Sequence, residues 1–177
     1  MSKVTIDQLR SLPDFAQVTK WDLTFITLPV LGPLGFPLSE QLNVRCESIE
    51  VPKTTNQKFD VMVRGHKVVN SGILDYGNTM TVTFVETVDN TIFNFVKAWR
   101  EACWASRTGR ALSKKDLEAT IMITLLDNQD NARAKYTVYG AFLESADFGT
   151  LDGSTSDAQK PSITLAYDFY VDSPLKV

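Results

Sequence analysis

The sequence predicts a mainly β, α+β fold: an antiparallel barrel or sandwich of about eight strands with one flanking α-helix over residues ~89–106. Three observations predict it. Apolar and polar residues alternate along most of the chain, the period of a half-buried strand. One stretch, 88–107, changes to the period of a helix. Turn-forming residues separate the alternating runs at short intervals. The 177 residues suffice for one sizeable core, and neither a linker nor an internal repeat interrupts them, so the chain reads as a single domain, 1–177.

The elements follow in order. "TIDQLRSLPDFA" (5–16) predicts a short helical turn ended by Pro13. "KWDLTFITL" (20–28) alternates Trp21, Leu23 and Phe25 against Asp22 and Thr24, a strand. "PVLGPLGFPLSE" (29–40) carries three prolines and two glycines and reads as a loop. Its apolar content fits either a loop folded onto its own core or one that packs on another subunit. "LNVRCESIEV" (42–51) predicts a strand with Val44 and Cys46 on one face, broken by Pro52 and "KTTNQ". "KFDVMVRG" (58–65) predicts another, with Phe59, Val61 and Val63 inward and Lys58, Asp60, Met62 and Arg64 outward. "HKVVNSGIL" (66–74) follows, then the turn "DYGN".

"TMTVTFVET" (79–87) alternates most clearly: Met80, Val82 and Phe84 toward a core, Thr79, Thr81 and Thr83 away from it. In 88–107, Ile92, Phe95, Val96, Trp99, Ala102 and Cys103 form one helical stripe, with Asp89 or Asn90 as N-cap and Gly109 as stop. Phe93 and Trp104 lie beside it, more apolar surface than one contact face needs. "LEATIMITLLD" (117–127) and "ARAKYTVYG" (132–140) predict a hairpin about "NQDN". A polar loop (144–161) leads to a last strand, "SITLAYDFYV" (162–171).

Composition narrows the function. Hydrophobic residues make up 44% and charged residues 22%, ordinary for a globular protein, and no apolar run is long enough to span a membrane. No apolar leader follows the N-terminus, so the chain is expected to fold in a cytosol. Net charge −3 argues against tight nucleic-acid binding, and "SRTGRALSKKD" (106–116) reads as a solvated loop. The two cysteines, Cys46 and Cys103, read as small buried hydrophobes without metal-ligand spacing. The single histidine, His66, lies beside a turn and assembles no triad. No phosphate or dinucleotide fingerprint is present, and the carboxylates are scattered. The chain therefore reads as no enzyme, with no cofactor and no metal site. A small-molecule-binding β-barrel lined by aromatic residues is the alternative of a different class.

The polar strand faces are rich in Thr, with Met and a few charges of both signs. They suit a sheet open to water, a subunit contact or the wall of a water-filled channel, and the residues alone do not separate these.

The order of features resembles the tail tube (inner tube) protein of contractile-tailed, myovirus-type bacteriophages. The resemblance rests on "KFDVMVRGHKVVNSGILDYGNTMTVTFVETVDNTIFNFVKAWREA" (58–102) and "YTVYGAFLESADFGTLDGSTSDAQKPSITLAYDFY" (136–170). A Gly-ended strand, a T-V-T strand and a helix with a central Trp occur in that order; a Gly-ended strand, a polar loop and a final strand close the chain. It implies a structural protein of a virion tail, assembled in the host cytoplasm. Hexameric rings would stack into a hollow tube that conducts DNA during ejection without binding it specifically. Sheath, tape-measure and baseplate proteins would be its partners. The inner tube of a type VI secretion system or contractile bacteriocin is the alternative. On this reading Asp60, Met62, Thr81, Thr83, Thr120, Met122 and Thr124 are expected to line the channel. Lys53, Thr54, Phe93, Arg100, Trp104 and Asp152 are expected to meet a neighbouring subunit or the sheath.

Overall fold

A computed structural model describes residues 6–12, 15–29, 39–154 and 156–174. In chain order the elements are α1 (Ile6–Arg10), β1 (Trp21–Thr27), α2 (Ser39–Arg45), β2 (Cys46–Ile49), β3 (Thr55–Val63), β4 (His66–Asp75) and β5 (Thr79–Phe84). Then come α3 (Thr91–Cys103), α4 (Lys114–Leu117), β6 (Ala119–Leu126), β7 (Ala132–Asp147), β8 (Ser162–Ala166) and β9 (Phe169–Pro174). The fold is mainly β, with nine strands among the described residues against about eight expected.

The 16-residue strand β7 joins two antiparallel layers. Its first half pairs with β6 on one side and β9 on the other, and β1 extends this layer beyond β6. Its second half pairs with β8, followed outward by β5 and β2. Gly140 marks the change of layer. There the β6 register slips, and the backbone takes φ 67°, a left-handed conformation that glycine adopts without penalty. A Cβ at this position would overlap the Asp168 carboxylate, which pairs with Lys114. Asp168 itself sits in the break between β8 and β9, so the single strand expected over 162–171 is two.

The inward faces fill the space between the layers: Leu23, Phe25, Ile121, Ile123 and Val138 from one, Met80, Val82, Phe84, Ile163 and Leu165 from the other. Helix α3 closes one end. Ile92, Phe95, Val96 and Trp99 are buried at i, i+3, i+4, i+7 spacing, as the sequence period requires. Phe25 and Phe95 meet edge to face at 6.2 Å, and the Trp99 indole N–H donates to the Leu117 carbonyl at 3.0 Å. The helix starts at one of the two expected caps. Asn90 occupies the N-cap position at φ 55° without a side-chain bond. The Glu86 carboxylate instead accepts the N–H groups of Ile92 and Phe93, where an anion also suits the helix dipole. Trp104 ends the helix in extended conformation; Gly109 lies in the turn beyond it.

The strand expected over 42–51 is half helix. Ser39–Arg45 form α2, Val44 is 84% exposed, and only Cys46–Ile49 pair as a strand. The cause lies in the edge of β1. The Ser39 hydroxyl and the Asn43 side-chain oxygen accept the N–H groups of Phe25 and Leu23, both at 2.8 Å. A helix turn spaces these two acceptors along the strand and covers an edge that would otherwise remain open. Most of the apolar loop expected over 29–40 lies outside the described residues. The expected polar loop 144–161 begins later, since β7 runs to Asp147.

Candidate assembly surfaces

Strands β3 and β4 form a two-stranded sheet of their own, projecting between β2 and β5. The turn is Arg64–Gly65, both at positive φ, the tight geometry that matches strand twist. Every residue of both strands is exposed. Register places Val61 opposite Val68, on one face with Phe59 and Val63, as alternation predicts. No part of the described chain covers that face: Phe59 is 52% exposed and Val68 50%. The inward placement expected of Phe59, Val61 and Val63 is thus not met within one copy. Among the described residues the hairpin is anchored at its base. The Tyr167 hydroxyl donates to the Tyr76 carbonyl at 2.6 Å, and the Tyr170 hydroxyl to Thr54 Oγ1 at 3.3 Å.

The seven residues expected to line a channel fall on three surfaces. Asp60 and Met62 are on the hairpin, where Asp60 pairs with Lys67 at 2.5 Å. Thr81 and Thr83 are on the outward face of β5, opposite Thr164 and Ser162, a surface of short hydroxyl side chains. Thr120, Met122 and Thr124 are on β6 in the other layer; Met122 lies between Thr24 and Thr137. Thr124 is only 8% exposed. These two faces belong to different layers, joined through β7.

The expected contact residues also divide. Lys53, paired with Glu50, and Thr54 lie at the hairpin base. Phe93 leans on Phe148 at 5.0 Å. Arg100 and Trp104 are exposed further along α3. Asp152 accepts the N–H and hydroxyl of Ser154, which hold its carboxyl below the usual range and keep it charged.

Other sites offer little chemistry. His66 is exposed at the hairpin turn. Burial pushes the Cys46 thiol up to about 12 and raises Cys103 as well, so both are poor nucleophiles. Among the described residues no group of three His, Cys, Asp or Glu is placed to hold a metal, and no helix is long and apolar enough to cross a membrane. A cleft of about 340 Å³ opens at the surface between Trp21, Ile49 and Leu125, with Lys20 and Arg133 also on its walls.

No family model and no curated protein matches the sequence. Solved structures do match the fold. A chain of the sheath–tube complex of an extracellular contractile injection system (PVC) superposes with TM-score 0.62 at 14% identity, over 98% of this chain and 100% of that one. A chain of the PVC sheath/tube terminator gives 0.64 at 14% identity, over 92% and 99%. The tube-terminating cap of the anti-feeding prophage gives 0.63 at 14% identity, over 93% and 95%. The fold is shared with chains of these contractile-system assemblies. At this identity the likeness is one of fold.

Proposed function

We propose that this chain is the structural subunit of a contractile-tail tube, forming hexameric rings that stack around a channel. The observation that carries the reading is the β3–β4 hairpin. A lone two-stranded sheet is marginal in water, and one that exposes an apolar face is completed by another chain. A second copy is the natural occupant in a fold shared with tube complexes. The outer edges of β2 and β9 are free of strand partners among the described residues, so neighbouring sheets can join there and remove the edges. The hydroxyl-rich face of β5 and β8 then forms the channel wall, neutral enough for DNA or another cargo to slide past. Sheath, tape-measure and baseplate proteins complete the particle.

The tube belongs to a phage tail, as the sequence order suggests, or to an injection device. The second reading is favoured by two structures that superpose above TM-score 0.6 and belong to an extracellular contractile injection system.

Negative-stain electron microscopy of the purified protein, with light scattering, tests the reading. Six-fold rings or hollow tubes are expected. A monomer that persists at high concentration, together with a small molecule bound in the surface cleft, would replace it with a ligand-binding β-barrel. Cysteines placed at Thr81 and Met122 then locate the channel, against a low background from the two native thiols. In assembled tubes Thr81→Cys should resist a reagent too bulky for the channel while Met122→Cys reacts. Free reaction at position 81 would remove the β5 face from the wall.

A further inference from the structure

Charge is segregated along helix α3. Cys103 lies beside Leu143 of β7, and Phe93 beside Phe148 just past its end, so the helix runs along the second half of β7. Beyond its C-terminal end, residues 102–115 contain Arg107, Arg110, Lys114 and Lys115 and no acid. Lys114 is engaged with Asp168; Arg107 and Arg110 are exposed and form no ion pair among the described residues. Beside its N-terminal end, residues 147–159 contain Asp147, Asp152 and Asp157 and no base, with Lys160, paired to Glu47, following. Asp152 and Asp157 are exposed on that loop, also without an ion pair.

Each charged end has an apolar centre. Trp104 is 63% exposed within the basic end, and Leu151 is 83% exposed within the acidic loop. An apolar anchor with a charged rim is the anatomy of a specific interface, and exposed Trp is the side chain most often energetically decisive there. The two ends are complementary in sign and lie about 15–20 Å apart, the length of the helix between them. A surface with opposite ends of this kind joins to a second copy head to tail, not by a two-fold axis.

We propose that the basic end of one copy, Trp104 with Arg107 and Arg110, receives the acidic loop of a second copy, Leu151 with Asp152 and Asp157. This rests on the tube reading and deepens it. The contact gives the assembly its polarity and its salt sensitivity, because exposed charges are screened within about 8 Å at physiological ionic strength. Like charges brought together at this contact oppose association.

The test is a mixing experiment. R107E/R110E makes both ends acidic; D152K/D157K makes both basic. Each variant alone should raise the concentration needed for assembly about tenfold or more, with unchanged urea unfolding of the monomer. Mixed in equal amounts the two should assemble near wild-type concentration, since every junction again pairs opposite signs. The proposal is overturned if wild-type tubes form and either variant alone assembles as well as wild type. It is equally overturned if mixing fails to rescue, which would assign the basic end to an acidic partner other than a second copy. Absence of any wild-type assembly would remove the tube reading, and this contact with it.

Discussion

The sandwich and the β3–β4 hairpin are built from the same kind of strand and meet opposite fates. In β5, Met80, Val82 and Phe84 alternate with threonines and are wholly buried against α3 and the opposite layer. In β3, Phe59, Val61 and Val63 alternate just as strictly and remain in the open. Period two fixes which side chains share a face; it says nothing about what covers that face. In β5 the cover is encoded in the same chain. In the hairpin no described residue supplies it.

Breaking the buried side of this comparison should cost most. Trp99→Ala removes the largest fully buried side chain and its bond to the Leu117 carbonyl. A loss of about 3–5 kcal/mol in urea unfolding is expected. A loss below 1 kcal/mol would mean that α3 is not the lid of the core. Gly140→Ala comes next. It forces a left-handed φ on a residue with a Cβ and drives that Cβ into Asp168, at an expected cost of about 1–3 kcal/mol. Gly140→Ala combined with Asp168→Ala relieves the overlap and not the φ, so the double variant should lose less than the sum of the two singles. Strict additivity would show that the close approach does not matter.

Strand alternation and the single helical stripe were legible because each reports a local period, and Met80, Val82, Phe84, Ile92 and Trp99 fall inside as read. The β-layer faces carrying Thr81 and Met122 were legible as faces. Their separation onto opposite layers was not, since it depends on β7 passing from one layer to the other at Gly140. The helix at 39–45 was missed for a similar reason. Its role is to bring Ser39 and Asn43 to the edge of β1, a contact across 14 and 20 residues that no local pattern records. The cap position at Asn90 was legible; that its side chain leaves the N–H groups of Ile92 and Phe93 to Glu86, from outside the usual cap position, was not. The charge segregation was present in the sequence as two runs lacking the opposite sign. Only the path of α3 along β7 shows that they lie at opposite ends.

The covered edge of β1 gives a third and smaller effect. Asn43→Ala leaves the Leu23 N–H without its acceptor at a partly buried edge. About 1–2 kcal/mol should be lost, and Asn43→Asp should also lose stability, because it keeps an acceptor for Leu23 but sets a carboxylate where Nδ2 donated to Asp22 at 3.1 Å. Were both variants equal to wild type, water would be replacing α2 at that edge. The comparison with the hairpin would then weaken, since both edges would be open.

The smallest effect on the monomer, and the most telling, belongs to the hairpin itself. Val61 and Val68 face each other across β3 and β4, 39% and 50% exposed. Thr keeps the β-branched shape that strands favour while adding a hydroxyl to the uncovered face. Val61→Thr/Val68→Thr should therefore leave monomer unfolding within about 0.5 kcal/mol, as exposed substitutions do. If another subunit covers that face, the same pair must bury two hydroxyls without partners, and rings or tubes should fail to form at concentrations where wild type assembles. Unchanged assembly would place this face in solvent even in the particle, and the carrying observation for the tube reading would fall. Destabilised monomer with unchanged assembly would instead show the valines packing within one copy, erasing the contrast between the two kinds of strand.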